Sequence, residues 1–280
     1  MNTKPKIIAF QGEKGAFSDL ACRNVFPAME TLPCTSFDEA FQAVEKQRAD
    51  LAMIPIDNTI AGRVADVHSL MPKHELFIIG EHFQPVHHNL LGVKGARKED
   101  LKYVHSHVHA LPQCKKIIRD LGLEARVHAD TAGAAAEIAR KNDEQHGAIA
   151  SSLAADIYGL DILEESVQDA ERNTTRFLIL APEPEIPEAQ ERVLSSLIFD
   201  VRNIPAALYK ALGGFATNGL SLTKLESYVD DHFDVAQFYC EVVGHPDSSS
   251  FQLALEELGF YANDVRFLGA FQAHPNRIIQ

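Results

Sequence analysis

Short apolar runs alternate with longer, helically spaced segments over the first 180 residues. The run Ile7 to Phe10 predicts a strand, Phe17 to Phe26 a helix, the region near Leu32 a strand, Phe37 to Val44 a helix and Leu51 to Ile56 a strand. Ser36 followed three residues later by Glu39 has the spacing of a capping box, which places a helix start at Phe37. Ala40, Phe41 and Val44 then form an apolar stripe that should face a sheet. A helix is expected over Val64 to Leu70. The rhythm continues with strands at Leu76 to Ile79, Asn89 to Val93, Tyr103 and Val104, Ala125 to Val127, Ala148 to Ala150 and Thr174 to Leu180, and helices over Cys114 to Leu121, Thr131 to Lys141 and Leu153 to Tyr158. Strands separated by such helices favour parallel or mixed sheets covered on both faces. Gly80 through His88, irregular and containing His and Pro, interrupts this pattern and reads as a crossing between two lobes.

Between Ala181 and Gln190, three prolines and three glutamates without an apolar period mark a stiff, solvated linker. Beyond it, Ser195 to Val201, Ala206 to Phe215, Ser221 to Glu226, Val235 to Val243, Ser250 to Leu258 and Val265 to Phe271 read strand, helix, strand, strand, helix, strand. A βαββαβ module with both helices on one face of an antiparallel sheet fits that order.

The chain has 280 residues, which favours two domains, and 46% hydrophobic residues, enough for a packed core. With 39 acidic residues against 26 Lys plus Arg, the net charge of −13 disfavours general binding to nucleic acid or an anionic membrane. Cys22, Cys34, Cys114 and Cys240 lack a metal-knuckle spacing and read as reduced structural thiols. No apolar stretch approaches the length of a signal-peptide core or a membrane span, so a cytoplasmic protein is expected.

Four segments carry candidate chemistry. In Phe10-Gln-Gly-Glu-Lys-Gly-Ala-Phe-Ser18, Gly12 and Gly15 permit either an anion-receiving turn before a helix or a purely structural one. Asp57, Asn58 and Thr59 crowd donors and acceptors at a strand end, where open α/β sheets bind ligands, or else form a turn capping the next helix. Arg63 beside them is either a carboxylate partner or a solvated residue. His105, His107 and His109 alternate as on one strand face, but no metal-binding array accompanies them. The Ala-Leu-Pro segment should end the strand before His109, which leaves Ser106 and Gln113 as hydrogen-bonding groups for a polar substrate. Finally, Asn173-Thr-Thr-Arg-Phe177 carries a polar cluster into an apolar strand, where Arg176 either pairs with Glu171 or Asp169 or binds a carboxylate.

Together these segments resemble the prephenate dehydratase family. The matching pieces are Gly12 to Ser18, Pro55-Ile-Asp-Asn-Thr-Ile-Ala-Gly62, Ser106-His107 with Ala110-Leu-Pro-Gln-Cys114, Asp130-Thr-Ala-Gly-Ala-Ala135, Ala148 to Ser151 with Tyr158-Gly-Leu160, and Asn173 to Phe177. The C-terminal module resembles an ACT domain. The resemblance implies a catalytic region over 1–180, with periplasmic-binding-protein type II lobes at 1–80 with 166–180 and at 81–165. A linker over 181–191 and a ferredoxin-like ACT domain over 192–275 complete the expected organisation. It further implies conversion of prephenate to phenylpyruvate, carbon dioxide and water in phenylalanine biosynthesis.

By that likeness Thr175, Asn58, Ser106 and Gln113 are the catalytic candidates, and Arg176, Asp57, Thr59, Phe177 and Ser18 the substrate-binding ones. Asp57 stands where glutamate is usual, Thr59 where serine is usual, and His109 and Val108 depart from the usual glutamine and proline. An allosteric phenylalanine site is implied at Asn203, Ala206, Leu208, Glu226 and Ser227, in a homodimer or homotetramer. Ala206 replaces a usual glycine there, and Tyr228 with Val229 replaces a usual Arg-Pro. Because aromatisation drives loss of the ring carboxylate and C4 hydroxyl, neither cofactor nor metal is expected. Thr175 is expected to hydrogen-bond the departing oxygen while Arg176 supplies a fixed countercharge. Arogenate dehydration is the enzymatic alternative, and a non-catalytic amino-acid sensor is the alternative from another class.

Overall fold

The computed structural model describes residues 5–189, 192–229 and 235–277. Strands β1 (Ile7–Gln11), β2 (Glu30–Cys34) and β3 (Leu51–Asn58) alternate with helices α1 (Phe17–Val25) and α2 (Phe37–Glu45), followed by β4 (Gly62–Arg63) and α3 (Ala65–Leu70). Next come β5 (Phe77–Pro85), β6 (Asn89–Gly92), β7 (Tyr103–His107), α4 (Lys115–Asp120), β8 (Glu124–His128), α5 (Thr131–Lys141), β9 (His146–Ala150), α6 (Ser152–Tyr158), β10 (Asp161–Glu164) and β11 (Thr174–Ala181). The last part contains β12 (Val193–Val201), α7 (Ala207–Thr217), β13 (Leu222–Val229), β14 (Val235–Val243), α8 (Ser249–Tyr261) and β15 (Ala262–Gln272). Residues 190–191 of the expected linker lie outside the described residues.

Three sheets result. The first runs β2-β1-β3-β11-β5 with β4 paired to β3; the second runs β10-β6-β9-β7-β8; the third runs β13-β14-β12-β15. β1 is parallel to both β2 and β3, and β7 is parallel to β8 and β9, whereas β6 is antiparallel to β9 and β10. The parallel strands are joined through helices, as the alternating pattern requires. Two compact units are present: Met1–Val67 with His82–Phe177, and His68–Glu81 with Leu178–Gln280.

Local chemistry sets the helix starts. Ser36 Oγ accepts from Glu39 N at 3.1 Å, but the Glu39 carboxylate returns to Thr35 N (2.8 Å) and Thr35 Oγ1 (2.7 Å), one residue before the cap. Asp130 caps α5 by accepting from Gly133 N at 2.6 Å, and Asn142 ends it in the left-handed region. Gly80 through His88 is not the irregular crossing expected: β5 continues to Pro85. Its polar residues do not break the strand because they are partnered, Gln84 accepting from Asn24 Nδ2 at 2.9 Å and Glu81 from Arg277 Nε at 2.8 Å. Beyond β5, Val167 N donates to His88 O (2.7 Å) and His88 N to Gln168 Oε1 (2.9 Å). The short strands β4 and β10 were not expected from the pattern.

In the second unit, Leu197 and Phe199 of β12 pack with Ala211 and Phe215 of α7 and Phe251, Ala254 and Leu258 of α8. Residues 68–81 join this unit through a close approach and a buried polar network. Gly269 (φ +134) leaves room for the Ile78 backbone, whose oxygen would lie 2.2 Å from an added Cβ. Arg277 bridges the buried carboxylates of Glu81 and Glu241, each at 2.8 Å, and Tyr239 donates to Glu241 at 2.7 Å. Tyr228 OH lies 2.7 Å from His68 Nδ1.

Candidate active site

Pairing of the ends of β3 and β11 assembles the polar cluster. Thr59 N donates to Thr174 O and Thr174 N to Thr59 Oγ1, both at 3.0 Å, so Asn58 and Thr175 become neighbours although 117 residues apart in sequence. Asn58 Oδ1 accepts from the backbone N–H groups of Ile60 (2.9 Å) and Ala61 (2.8 Å), which fixes the orientation of its amide. Its Nδ2 therefore faces inward, donating to Thr175 Oγ1 at 2.9 Å and Asn173 Oδ1 at 2.8 Å, with Thr174 O at 3.3 Å. Thr175 Oγ1 accepts from Asn58, which leaves its O–H donor and one lone pair for a further partner.

Gln113, in the 3-10 turn Leu111–Gln113 before α4, joins the same cluster: its Oε1 accepts from Asn173 Nδ2 at 2.7 Å and its Nε2 donates to His109 O at 2.8 Å. Asn173, given no role by sequence reasoning, thus links Asn58 to Gln113. Its signal was the place it holds directly before Thr174-Thr175. Burial pushes the imidazole of His88 down to about 4, a hydrogen bond with Gln113 opposing that shift. The His88 ring meets Phe17 edge-on at 5.3 Å.

Other candidates are placed differently. Arg176 is buried, with Nη1 3.7 Å from Asp57 Oδ2. Asp169, offered as its partner, instead accepts from the Lys115 and Lys116 amides at 2.9 and 3.0 Å. Ser106 is fully buried and donates to Ile149 O at 2.6 Å, across to β9. Phe177 is 1% exposed and belongs to the core. Ser18 is half-buried in the first turn of α1.

The Gly12 to Ser18 segment resolves toward the structural reading. Gly15 N donates to the buried Asp19 carboxylate (2.8 Å), while Gly15 O accepts from Ser151 Oγ (2.5 Å) and Lys14 O from Tyr158 OH (2.7 Å). A Cβ at Gly15 would lie 2.9 Å from Ala154 Cα, so this turn is where α6 packs.

The three histidines separate as well. His105 and His107 lie in β7 and His109 follows it. Lys141 Nζ donates to His146 Nε2 at 2.7 Å, so neutral His146 donates from Nδ1 to His105 Nε2 at 2.8 Å. Burial holds His105, His107 and His146 below the usual imidazole range. Among the described residues, no group of three His, Cys, Asp or Glu side chains is placed to hold a metal ion. The four thiols are buried, and burial pushes Cys34 up to about 11 and Cys114 and Cys240 up to about 12. Among the described residues, no helix is long and apolar enough to cross a membrane.

Such a site can hydrogen-bond a departing oxygen from a fixed donor, on a mixed α/β scaffold of several sheets. The sequence profile described as prephenate dehydratase matches residues 8–185. The bifunctional N-acyl-homoserine lactone acylase/prephenate dehydratase of Komagataeibacter europaeus is 46% identical over 274 residues, covering 97% of this chain and 98% of that protein. Arogenate dehydratase/prephenate dehydratase 1 of Arabidopsis thaliana is 41% identical, over 94% of this chain and 71% of that protein. The structure of prephenate dehydratase from Arthrobacter aurescens in complex with L-Phe superposes with a TM-score of 0.87 at 27% identity, covering 95% of this chain and 90% of that one. The chain belongs to the prephenate dehydratase family, and its enzymatic activity is the dehydration of prephenate.

Proposed function

We propose that the Thr175 hydroxyl assists departure of the C4 oxygen of prephenate while the ring carboxylate leaves as carbon dioxide. The electron pair of the breaking C–CO2 bond completes the aromatic ring, and the C4 hydroxyl departs as water with one added proton. The observation that carries this reading is the 2.9 Å hydrogen bond from Asn58 Nδ2 to Thr175 Oγ1, which anchors the hydroxyl oxygen and leaves its O–H available to donate. A solvent proton relayed through water replaces the one Thr175 gives up, so one proton is consumed per turnover. Asn58 and Gln113 position the reacting end, Arg176 beside Asp57 sets the local charge that a dicarboxylate meets, and Thr59 holds the two strand ends in register. Ser106 supports the β7–β9 pairing from beneath. Incubation with prephenate, with phenylpyruvate followed over time and Thr175→Ala run beside the unaltered enzyme, tests the assignment. A variant that keeps full kcat would refute it.

The division into a catalytic region over 1–180 and a regulatory module over 192–275 belongs to the same proposal. The order β12-α7-β13-β14-α8-β15, with four antiparallel strands, supports reading the module as a ferredoxin-like ACT domain. L-phenylalanine is its proposed ligand, a reading supported by the L-Phe held by the Arthrobacter protein. Asn203, Ala206 and Leu208 lie at the start of α7, and Glu226 and Ser227 on β13, where Lys224 reaches Glu226 at 3.1 Å. A homodimer or homotetramer in the cytoplasm completes the proposal. Inhibition of turnover by L-phenylalanine, and arogenate tried as a rival substrate, decide these points.

A second reading rests on the 46% identity, over nearly the whole of both chains, with the Komagataeibacter protein whose name adds an N-acyl-homoserine lactone acylase activity. Release of homoserine lactone from an N-acyl-homoserine lactone tests it. The buried, high-pKa thiols would not serve as nucleophiles, so a hydroxyl or water would have to act.

A further inference from the structure

Asn173 is 6% exposed and ties together three segments distant in sequence. Its Oδ1 accepts from Asn58, its Nδ2 donates to Gln113 Oε1, and its main-chain oxygen accepts from Val86 N at 2.8 Å. The chain of amides has only one consistent polarity. At one end His109 O can only accept, so Gln113 must turn Nε2 toward it and Oε1 toward Asn173. At the other end the Ile60 and Ala61 amides can only donate, so Asn58 must turn Nδ2 toward Asn173 and Thr175. Asn173 is the one link between these two constraints, and an amide with one donor side and one acceptor side satisfies both. Aspartate lacks the donor, and leucine lacks both groups.

Resting on the dehydratase reading, we propose that Asn173 is a positioning residue. It gives Asn58 Nδ2 a second acceptor that holds the amide in place beside Thr175 Oγ1, and it ties that placement to the Gln113–His109 turn. Asn173 touches no substrate in this scheme; its effect passes through Asn58.

Steady-state kinetics with prephenate on the unaltered enzyme, Asn173→Leu, Asn173→Asp, Asn58→Ala and the double variant Asn58→Ala/Asn173→Leu, each checked by thermal melting, test the assignment. Asn173→Leu should lower kcat about 30- to 100-fold with KM within about threefold, the pattern of a lost transition-state interaction. Asn173→Asp, which keeps the acceptor for Asn58, should lose about tenfold. The double variant should match the kcat of Asn58→Ala within about twofold, because two residues acting as one unit do not add. Should Asn173→Leu fail to fold, the near-isosteric Asn173→Asp carries the same test, its loss vanishing when Asn58 is alanine. Unchanged kcat in both Asn173 variants, losses that multiply in the double variant, or a raised KM with intact kcat would overturn the proposal. No turnover of prephenate by the unaltered enzyme would overturn the dehydratase reading itself, and this inference with it.

Discussion

Replacing Asn58 by aspartate changes one NH2 group into an oxygen and almost nothing in volume, so it isolates the direction of the hydrogen bonds. The oxygen that accepts from Ile60 N and Ala61 N stays satisfied. The new oxygen faces three acceptors, Asn173 Oδ1 at 2.8 Å, Thr175 Oγ1 at 2.9 Å and Thr174 O at 3.3 Å. Thr174 O cannot become a donor, and Asn173 can do so only by turning its oxygen toward Gln113 Oε1. Thr175 can turn at once, and a hydrogen bond to a carboxylate favours that by about 1.5–3 kcal/mol. Its proton then points away from the substrate.

The expected cost is that of one transition-state donor, about 2.7–4 kcal/mol or 10²–10³ in kcat, at neutral pH. A pH series sharpens the test. Protonation of the new carboxyl restores a donor toward Asn173 Oδ1 and Thr175 Oγ1, so the ratio of variant to unaltered kcat should rise as pH falls. The assay follows phenylpyruvate from about pH 8 down to about pH 4, the ordinary carboxyl range, with an enzyme-free blank at each pH. A variant within about threefold of normal kcat, or a ratio that falls as pH falls, would refute the claim that donation from Asn58 to Thr175 Oγ1 supports turnover.

Further expectations follow from the packing and the buried groups. Gly15→Ala combines a positive φ of +90 with a Cβ 2.9 Å from Ala154 Cα, and should destabilise by about 2–4 kcal/mol, read as a lowered urea midpoint. Gly269→Ala should destabilise by at least about 3 kcal/mol, because its Cβ would meet Ile78 backbone that cannot rotate away; an unchanged melting temperature would contradict that close approach. With the folded-state pKa of His88 near 4 and an ordinary value near 6.5, the unfolded chain binds more protons between those values. The stabilisation is therefore complete above about pH 6.5 and lost as pH falls toward 4, up to about 3 kcal/mol, and His88→Gln should flatten the urea midpoint over that window. Burial of His105, His107 and His146 acts in the same direction.

How much of this was legible in the sequence depended on how local each cause is. Ser36-Glu39 announces a helix start because a cap is made within four residues, and the expected Thr131–Lys141 helix has the bounds observed. The expected strand at Leu76 to Ile79 stops short of Pro85 because the His and Pro of Gly80 through His88 look irregular, whereas the partners of Glu81 and Gln84, Arg277 and Asn24, come from 196 and 60 residues away. The same distance rule governed the site. Asn58, Gln113 and Thr175 could be singled out as polar residues at strand ends and turns, and the family resemblance named them together. What no local pattern carried was hydrogen-bond direction. That is set by Ile60 N, Ala61 N and His109 O, backbone groups every residue possesses, and by Asn173, whose two faces matter only after β3 and the Gln113 turn have come to it. A threonine without a neighbouring base is a weak acid; with Asn58 donating to its oxygen, the hydroxyl is anchored at the end of β11 with its O–H available to donate, and the proposed chemistry rests on that placement and not on its pKa.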